Sequence, residues 1–222
     1  MLERWFIEVC PGCGESSRAG LCVVCAAELR RVVAACERCG LARPVAICPR
    51  RARGWHVERV VAPFHYAPPL DGYVHALKYR GARGLGRTLA LAMVEHVRGA
   101  ACEVDALVPV PLHPRRLRER GFNQAFEIAR TLGRALARPV LLARIHRRGA
   151  QVAQTGRGAA ERLENVARAF AVERALAGLR LAIVDDVLTT GATVNALAAA
   201  LLAAGAQRCD VWAVARTPER AN

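Results

Sequence analysis

Lysine is almost missing from this sequence: of 33 basic side chains Lys78 alone is lysine, and the rest are arginine. Any chemistry that requires a lysine therefore has one candidate. A phosphate-binding loop of the form Gly-x4-Gly-Lys-Ser/Thr is absent, because Lys78 lies in Ala76-Leu77-Lys78-Tyr79; this excludes a nucleotide-hydrolysing motor of that type. Gly84-Leu85-Gly86 does not follow a strand pattern, which excludes a dinucleotide fingerprint there. No apolar run approaches the roughly 20 residues that cross a bilayer. The first residues, Met1-Leu2-Glu3-Arg4, do not begin as a basic, then apolar, export signal does. The expectation is a cytoplasmic protein with no membrane insertion. Acidic residues are also scarce, 19 against 33 basic, which leaves a net charge of +14 and favours polyanionic partners such as nucleic acid or phosphorylated metabolites.

What is present is the composition of a globular chain. The 222 residues are 53% apolar and 23% charged, enough for one domain with a small appendage and too apolar for a wholly disordered chain. Seven of the nine cysteines fall before residue 49, so the appendage is N-terminal, over 1–56, with the main domain over 57–222. Cys10-Pro-Gly-Cys13 and Cys22-Val-Val-Cys25 form two C-x2-C knuckles. Two such turns supply the four thiolates of a tetrahedral structural zinc site, with bonds of about 2.3 Å. In a reducing compartment this reading outweighs a disulfide framework. A redox C-x2-C is disfavoured as well, since such sites use a single motif beside a βαβ unit. Cys36, Cys39 and Cys48 would need a fourth thiolate near position 51, where Arg51 stands; either the second site is degenerate, the favoured reading, or it borrows a ligand such as His56. Removing the first metal is expected to unfold the appendage and spare the sheet domain.

From about residue 59, apolar runs alternate with amphipathic stretches, the pattern of an α/β domain with a mostly parallel sheet. Strands are expected over 60–65, 106–110, 140–143, 181–184 and 211–215, and helices over 70–78, 85–97, 123–136, 159–166 and 193–204. The arginine-rich stretch 144–158 has no periodicity and reads as a mobile loop over the sheet edge.

The most informative stretch is Leu181-Ala182-Ile183-Val184-Asp185-Asp186-Val187-Leu188-Thr189-Thr190-Gly191-Ala192-Thr193. It reads as a buried strand, two carboxylates where it emerges, and a hydroxyl-rich turn into an alanine-rich helix. Ligands of open α/β sheets sit at the carboxyl ends of strands, and a helix N-terminus offers backbone N–H groups to a phosphate. Thr189, Thr190 and Thr193 add hydroxyl donors, and Gly191 lets the main chain approach closely. Asp185 and Asp186, acceptors only, suit the vicinal hydroxyls of a ribose. Successive strand residues face opposite ways, so both reach one sugar only if the strand has turned by that point.

This stretch resembles the phosphoribosyl pyrophosphate (PRPP) signature of type I phosphoribosyltransferases. In that family the loop after an earlier strand cradles pyrophosphate, which the resemblance places here on Pro111, Leu112, His113, Arg115 and Arg116. Asn123 either contacts ligand or simply caps the next helix. The ordering of the cysteine knuckles, Leu77-Lys78-Tyr79-Arg80-Gly81, Pro109-Val110-Pro111, Arg120-Gly121-Phe122-Asn123-Gln124, Gln154-Thr155-Gly156, Arg162-Leu163-Glu164-Asn165 and the PRPP signature is similar to the ComF/GntX-like competence proteins. Two departures stand out: Arg51 replaces a knuckle cysteine, and Arg157 an apolar residue.

The resemblance implies Mg2+ with PRPP, closure of residues 147–158 over it, and a role in natural transformation. That role is the handling of single-stranded DNA, with a helicase-like partner. Lys78, Arg120, Asn123, Arg147, Arg148, Arg157 and Arg162 are the further candidates for phosphate or DNA contacts. Between His113 and Asn165 there are 12 arginines against four acidic residues, an excess able to track a phosphate backbone. The alternative is a catalytically active transferase that moves phosphoribosyl from PRPP to an acceptor no motif identifies.

Overall fold

The computed structural model describes residues 8–18, 20–42, 48, 54–142, 145–147, 170–173 and 175–218. Its elements in chain order are β1 (Glu8–Val9), β2 (Ser16–Ser17), α1 (Val23–Ala27), β3 (Val60–Val61), β4 (Phe64–His65), α2 (Leu70–Tyr79), α3 (Gly84–Ala101), β5 (Ala106–Pro109), α4 (Pro114–Arg120), α5 (Gln124–Ala135), β6 (Ile145–Arg147), β7 (Phe170–Val172), β8 (Arg180–Leu188), α6 (Ala192–Ala203) and β9 (Arg208–Arg216). The main sheet is parallel in the order β3-β9-β8-β5, with β4 also paired to β9. The α/β, mostly parallel architecture expected from the sequence is the one observed. No helix among the described residues is long and apolar enough to cross a membrane.

Both faces of the sheet are covered, so its central strands are apolar along their length, as parallel strands must be. Ala182, Val184, Trp212 and Val214 pack toward α2, α3 and α5, while Leu181, Ile183, Val211 and Ala213 pack toward α6. Across Asp185 and Asp186 this alternation inverts: Val187 joins the side of Val184, and Leu188 the side of Ile183. The ladder nevertheless continues to Leu188, opposite Arg216. The turn anticipated at the carboxylates thus comes at 189–191, and what happens at the carboxylates is a change of facing.

Four local differences from the sequence reading have physical causes. The strand expected over 60–65 is split at Pro63, which has no amide for the ladder. Of the expected strand 140–143, the described residues 140–142 form a single bridge, Val140 to Leu107. The arginine-rich stretch after the Pro111 loop is not loop but α4, started by Pro114 and the cap His113 and stopped by Gly121 in the left-handed conformation; none of its residues is buried, so no apolar periodicity marks it. Within the expected loop 144–158, Ile145–Arg147 pairs antiparallel with Phe170–Val172, anchored by the buried side chains of Ile145 and Phe170. The helix expected over 159–166 lies outside the described residues.

At the opposite edge of the sheet, Asp105 ties the start of β5 to that of β8. It accepts from the Arg180 amide at 2.8 Å and from its Nε and Nη2 at 3.2 and 2.8 Å. The guanidinium bonds, then the amide, lower the carboxyl to about 2. A depressed folded-state value contributes stability above the unfolded value of 3.8, lost as pH falls toward about 2. Asp105→Asn is therefore expected to lower the melting temperature by about 2 to 4 °C at pH 7, a small effect because the pair is partly in solvent. Melts at successively lower pH should show wild type and variant converging as pH falls from 3.8 toward about 2; a difference unchanged through that interval would contradict the assignment.

Candidate functional site

Continuing the alternation of Ala182 and Val184, Asp186 faces the α2 side of the sheet, where the last turn of α2 presents Lys78. Lys78 Nζ stands 2.7 Å from Asp186 Oδ2, and Asp186 is 3% exposed. Lys78 is therefore neither loose in solvent nor held back for a ligand: it neutralises a buried carboxylate. Each carboxylate also turns onto the following amide, Asp185 Oδ1 accepting from Asp186 N at 2.9 Å and Asp186 Oδ1 from Val187 N at 2.8 Å. Asp185 has no lysine of its own. Burial first and the Asp186 charge second push its carboxyl well above the ordinary range, so a cationic or hydrogen-bond-donating ligand would favour its ionised form.

Beyond Leu188 the chain turns at Thr189 and Thr190, both exposed, and enters α6 through Gly191. Thr190 Oγ1 accepts from the Ala192 amide at 3.3 Å. The N-cap, Gly191, has no side chain to offer, Ala192 is exposed and Thr193 half-buried, so the helix start opens toward solvent beside the carboxylates. Gly191 is required twice. Its φ is +79°, and a Cβ there would stand 2.7 Å from the Trp55 ring. The close approach that glycine permits is thus to a tryptophan of the N-terminal segment.

Three residues that hold this turn were not singled out from the sequence. Asn195 on α6 accepts from the His56 amide and donates to the Gly54 carbonyl, each at 2.7 Å, which fixes the loop carrying Trp55. Trp55 Nε1 donates to the Arg38 carbonyl at 3.1 Å, inside the Cys36–Cys39 knuckle. Arg216, buried at the end of β9, donates from Nε to the Cys39 carbonyl at 3.0 Å and from Nη1 to the carbonyls of Leu188, Thr189 and Thr217. The only signal in the sequence was an arginine closing an otherwise apolar strand.

The loop expected to cradle pyrophosphate distributes its residues. His113 Nδ1 accepts from the Arg115 amide at 3.2 Å as the cap of α4, and Arg115 pairs with Glu119 at 2.8 Å. Pro111 and Leu112 line an apolar cavity of about 230 Å³ with Leu117 and Ile145. Asn123 is a helix cap: Oδ1 accepts from Ala125 N and Nδ2 donates to Val110 O, both at 3.0 Å. Arg116 and Arg120, in contrast, join Lys78 around a cleft of about 470 Å³. Of Arg147 only the backbone, in β6, is described, and Arg148, Arg157 and Arg162 lie outside the described residues.

The Sγ atoms of Cys10, Cys13, Cys22 and Cys25 all lie within 4.8 Å of one another, with Cys13 and Cys22 at 3.6 Å. Thiolates around one zinc stand roughly 3.8 Å apart, so the set fits a tetrahedral ion. The Cys22 amide, donating to Cys10 Sγ at 3.3 Å, is the main influence that lowers the Cys10 thiol to about 6, favouring the thiolate a metal needs. Cys36, Cys39 and Cys48 converge within the same 4.8 Å limit. Three of four positions of a second site are therefore in place, and neither His56 nor any other described residue joins them. Arg51 lies outside the described residues.

No protein-family model matches the chain. The DNA utilization protein YhgH of Salmonella typhimurium is 35% identical over 211 residues, 90% of this chain and 92% of that protein. Competence protein F of Haemophilus influenzae is 30% identical over 220 residues, 93% and 95% of the respective chains. Among solved structures, a purine phosphoribosyltransferase from Pyrococcus horikoshii matches 60% of this chain and 87% of its own at 17% identity, with a TM-score of 0.37.

Proposed function

Because the chain belongs to the family of the DNA utilization protein YhgH and competence protein F, we propose that it handles single-stranded DNA in the cytoplasm. Its sheet domain binds PRPP in the manner of the type I phosphoribosyltransferases whose signature it resembles. The observation that carries the PRPP reading is the carboxylate pair at the carboxyl end of β8, one member held by Lys78, beside the solvent-facing start of α6. Asp185 accepts ribose hydroxyls, the first turn of α6 receives the terminal phosphate, and Arg116 supplies charge toward the diphosphate. Mg2+ neutralises diphosphate charge when bound. With Asp186 already engaged by Lys78, the ion comes with the ligand. The first cysteine group holds structural zinc, and the knuckles help dock DNA or a helicase-like partner.

Calorimetric titration with PRPP and MgCl2 tests this directly. Wild type is expected to bind. Asp185→Asn, which leaves the Lys78–Asp186 pair intact, should weaken binding about tenfold, the loss of one charged hydrogen-bond acceptor. Absence of binding by wild type overturns the PRPP reading. Titration with single-stranded oligonucleotide at two salt concentrations tests the DNA reading separately, with affinity falling steeply as salt rises. Release of pyrophosphate from PRPP with any cellular base would make the protein the transferase instead.

A further inference from the structure

We propose that the exposed ring of Tyr79 is a stacking platform for a nucleobase, and that the cleft beside it takes the phosphate of the same nucleotide strand. This rests on the DNA reading above and names the surface where the strand is gripped. Tyr79 ends α2 with 69% of its surface exposed, the one aromatic among the exposed large apolar side chains of the described residues. A tyrosine at a helix end is commonplace; its surroundings here are not. The Arg120 guanidinium lies 5.4 Å from the ring centroid and is itself pinned by Gln124 Oε1, and the His75 ring lies 4.9 Å away at a tilt of 45°. The ring is thus held in a fixed setting, with little freedom left to lose when a base stacks on it.

The cleft that begins at Tyr79 is lined by Lys78, Gly81, Arg116, Glu119 and Arg120 and has a volume of about 470 Å³. Its charges are unequally engaged. Lys78 is paired with Asp186, and Glu119 with Arg115. Arg116 has no acidic partner among the described residues, and its guanidinium fork suits a phosphate oxygen pair. A pinned aromatic face next to an unengaged guanidinium is the recognition chemistry of single-stranded nucleic acid: stacking tolerates any base, and the cation follows the backbone. A membrane surface would call for an apolar wedge, which this cleft lacks; an acidic peptide would leave the ring without a planar partner.

The test compares oligo(dT) with an abasic oligonucleotide of equal length and charge, by fluorescence anisotropy with the full chain. Wild type is expected to prefer oligo(dT). Tyr79→Ala should lower affinity for oligo(dT) by about five- to hundredfold and leave the abasic strand unchanged, whereas Tyr79→Phe retains the preference. Arg116→Gln should weaken both strands alike and reduce the salt slope by about one. Displacement of the strand by thymidine monophosphate, lost in Tyr79→Ala, would assign the same platform to a free nucleotide. Equal binding of the two strands by wild type, or an undiminished preference in Tyr79→Ala, overturns the proposal while DNA binding stands. If wild type binds neither strand nor the mononucleotide, the DNA reading fails and the platform with it.

Discussion

Stripping zinc from Cys10, Cys13, Cys22 and Cys25 is expected to melt the sheet domain along with the cysteine-rich segment. The sequence alone suggested an appendage that unfolds by itself, and the packing gives the reason for the different expectation. Cys10, Leu21, Cys25 and Leu29 share one buried cluster with Leu70, Val74 and Leu77 of α2 and Leu89 and Met93 of α3. The fit is close: a Cβ on Gly12 would stand 2.6 Å from the Tyr73 hydroxyl and 2.7 Å from Cys25 Sγ. Structural zinc contributes about 10–16 kcal/mol to small modules, and whole domains are stable by only about 5–15 kcal/mol. A module that loses its ion therefore withdraws its apolar face from α2 and α3 and leaves them uncovered. Thermal denaturation followed by circular dichroism, with and without a strong chelator, should show a single transition moving down by tens of degrees or vanishing. Cys10→Ser with Cys25→Ser should reproduce it without chelator. A helical melt indifferent to both would show that the sheet domain stands without the module.

Legibility from the sequence followed how local each cause is. The parallel sheet was readable because β8 and β9 are buried on both faces and so carry continuous apolar runs. The first cysteine group was readable because its ligands come in two short turns of fixed spacing, and the Asp185–Asp186 pair because it interrupts an apolar strand. Helix α4 escaped because it buries nothing, although its Pro114 start and Gly121 stop were visible signals. The partner of Asp186 lies on α2, more than a hundred residues earlier in the chain; Lys78 was noticed as the single lysine, yet nothing local aimed it at a carboxylate. Arg216, Asn195 and Trp55 escaped for the same reason. Their roles exist only once β9, α6 and the N-terminal segment meet around residues 189–191.

Arg216→Met is expected to cost about 1–3 kcal/mol of stability and to remove PRPP binding together with it. The guanidinium, 6% exposed, is a strut between two places: on one side the Cys39 carbonyl of the knuckle, on the other the carbonyls of Leu188 and Thr189 just before Gly191. Methionine fills the space and takes the guanidinium from the Cys39 and Thr189 carbonyls; Leu188 keeps the Thr217 amide, and the carbonyl of buried Cys39 loses this donor at a desolvation cost of about 1–3 kcal/mol. Arg216→Lys separates charge from geometry. It keeps the cation but cannot fork toward both sides, so it should restore part of the stability and little of the affinity. Urea unfolding and PRPP calorimetry on the two variants read these effects separately. Affinity that follows stability, recovered by lysine to the same extent, would reduce Arg216 to a packing residue. Affinity lost in both, with stability partly recovered, means that the turn must be held in one geometry for its amides to converge on a phosphate. Trp55 also packs on Gly191 while bonded to the same knuckle through Arg38. The cysteine-rich segment thereby braces the 189–191 turn through two contacts, the Cys39 carbonyl on Arg216 and the Trp55 ring on Gly191.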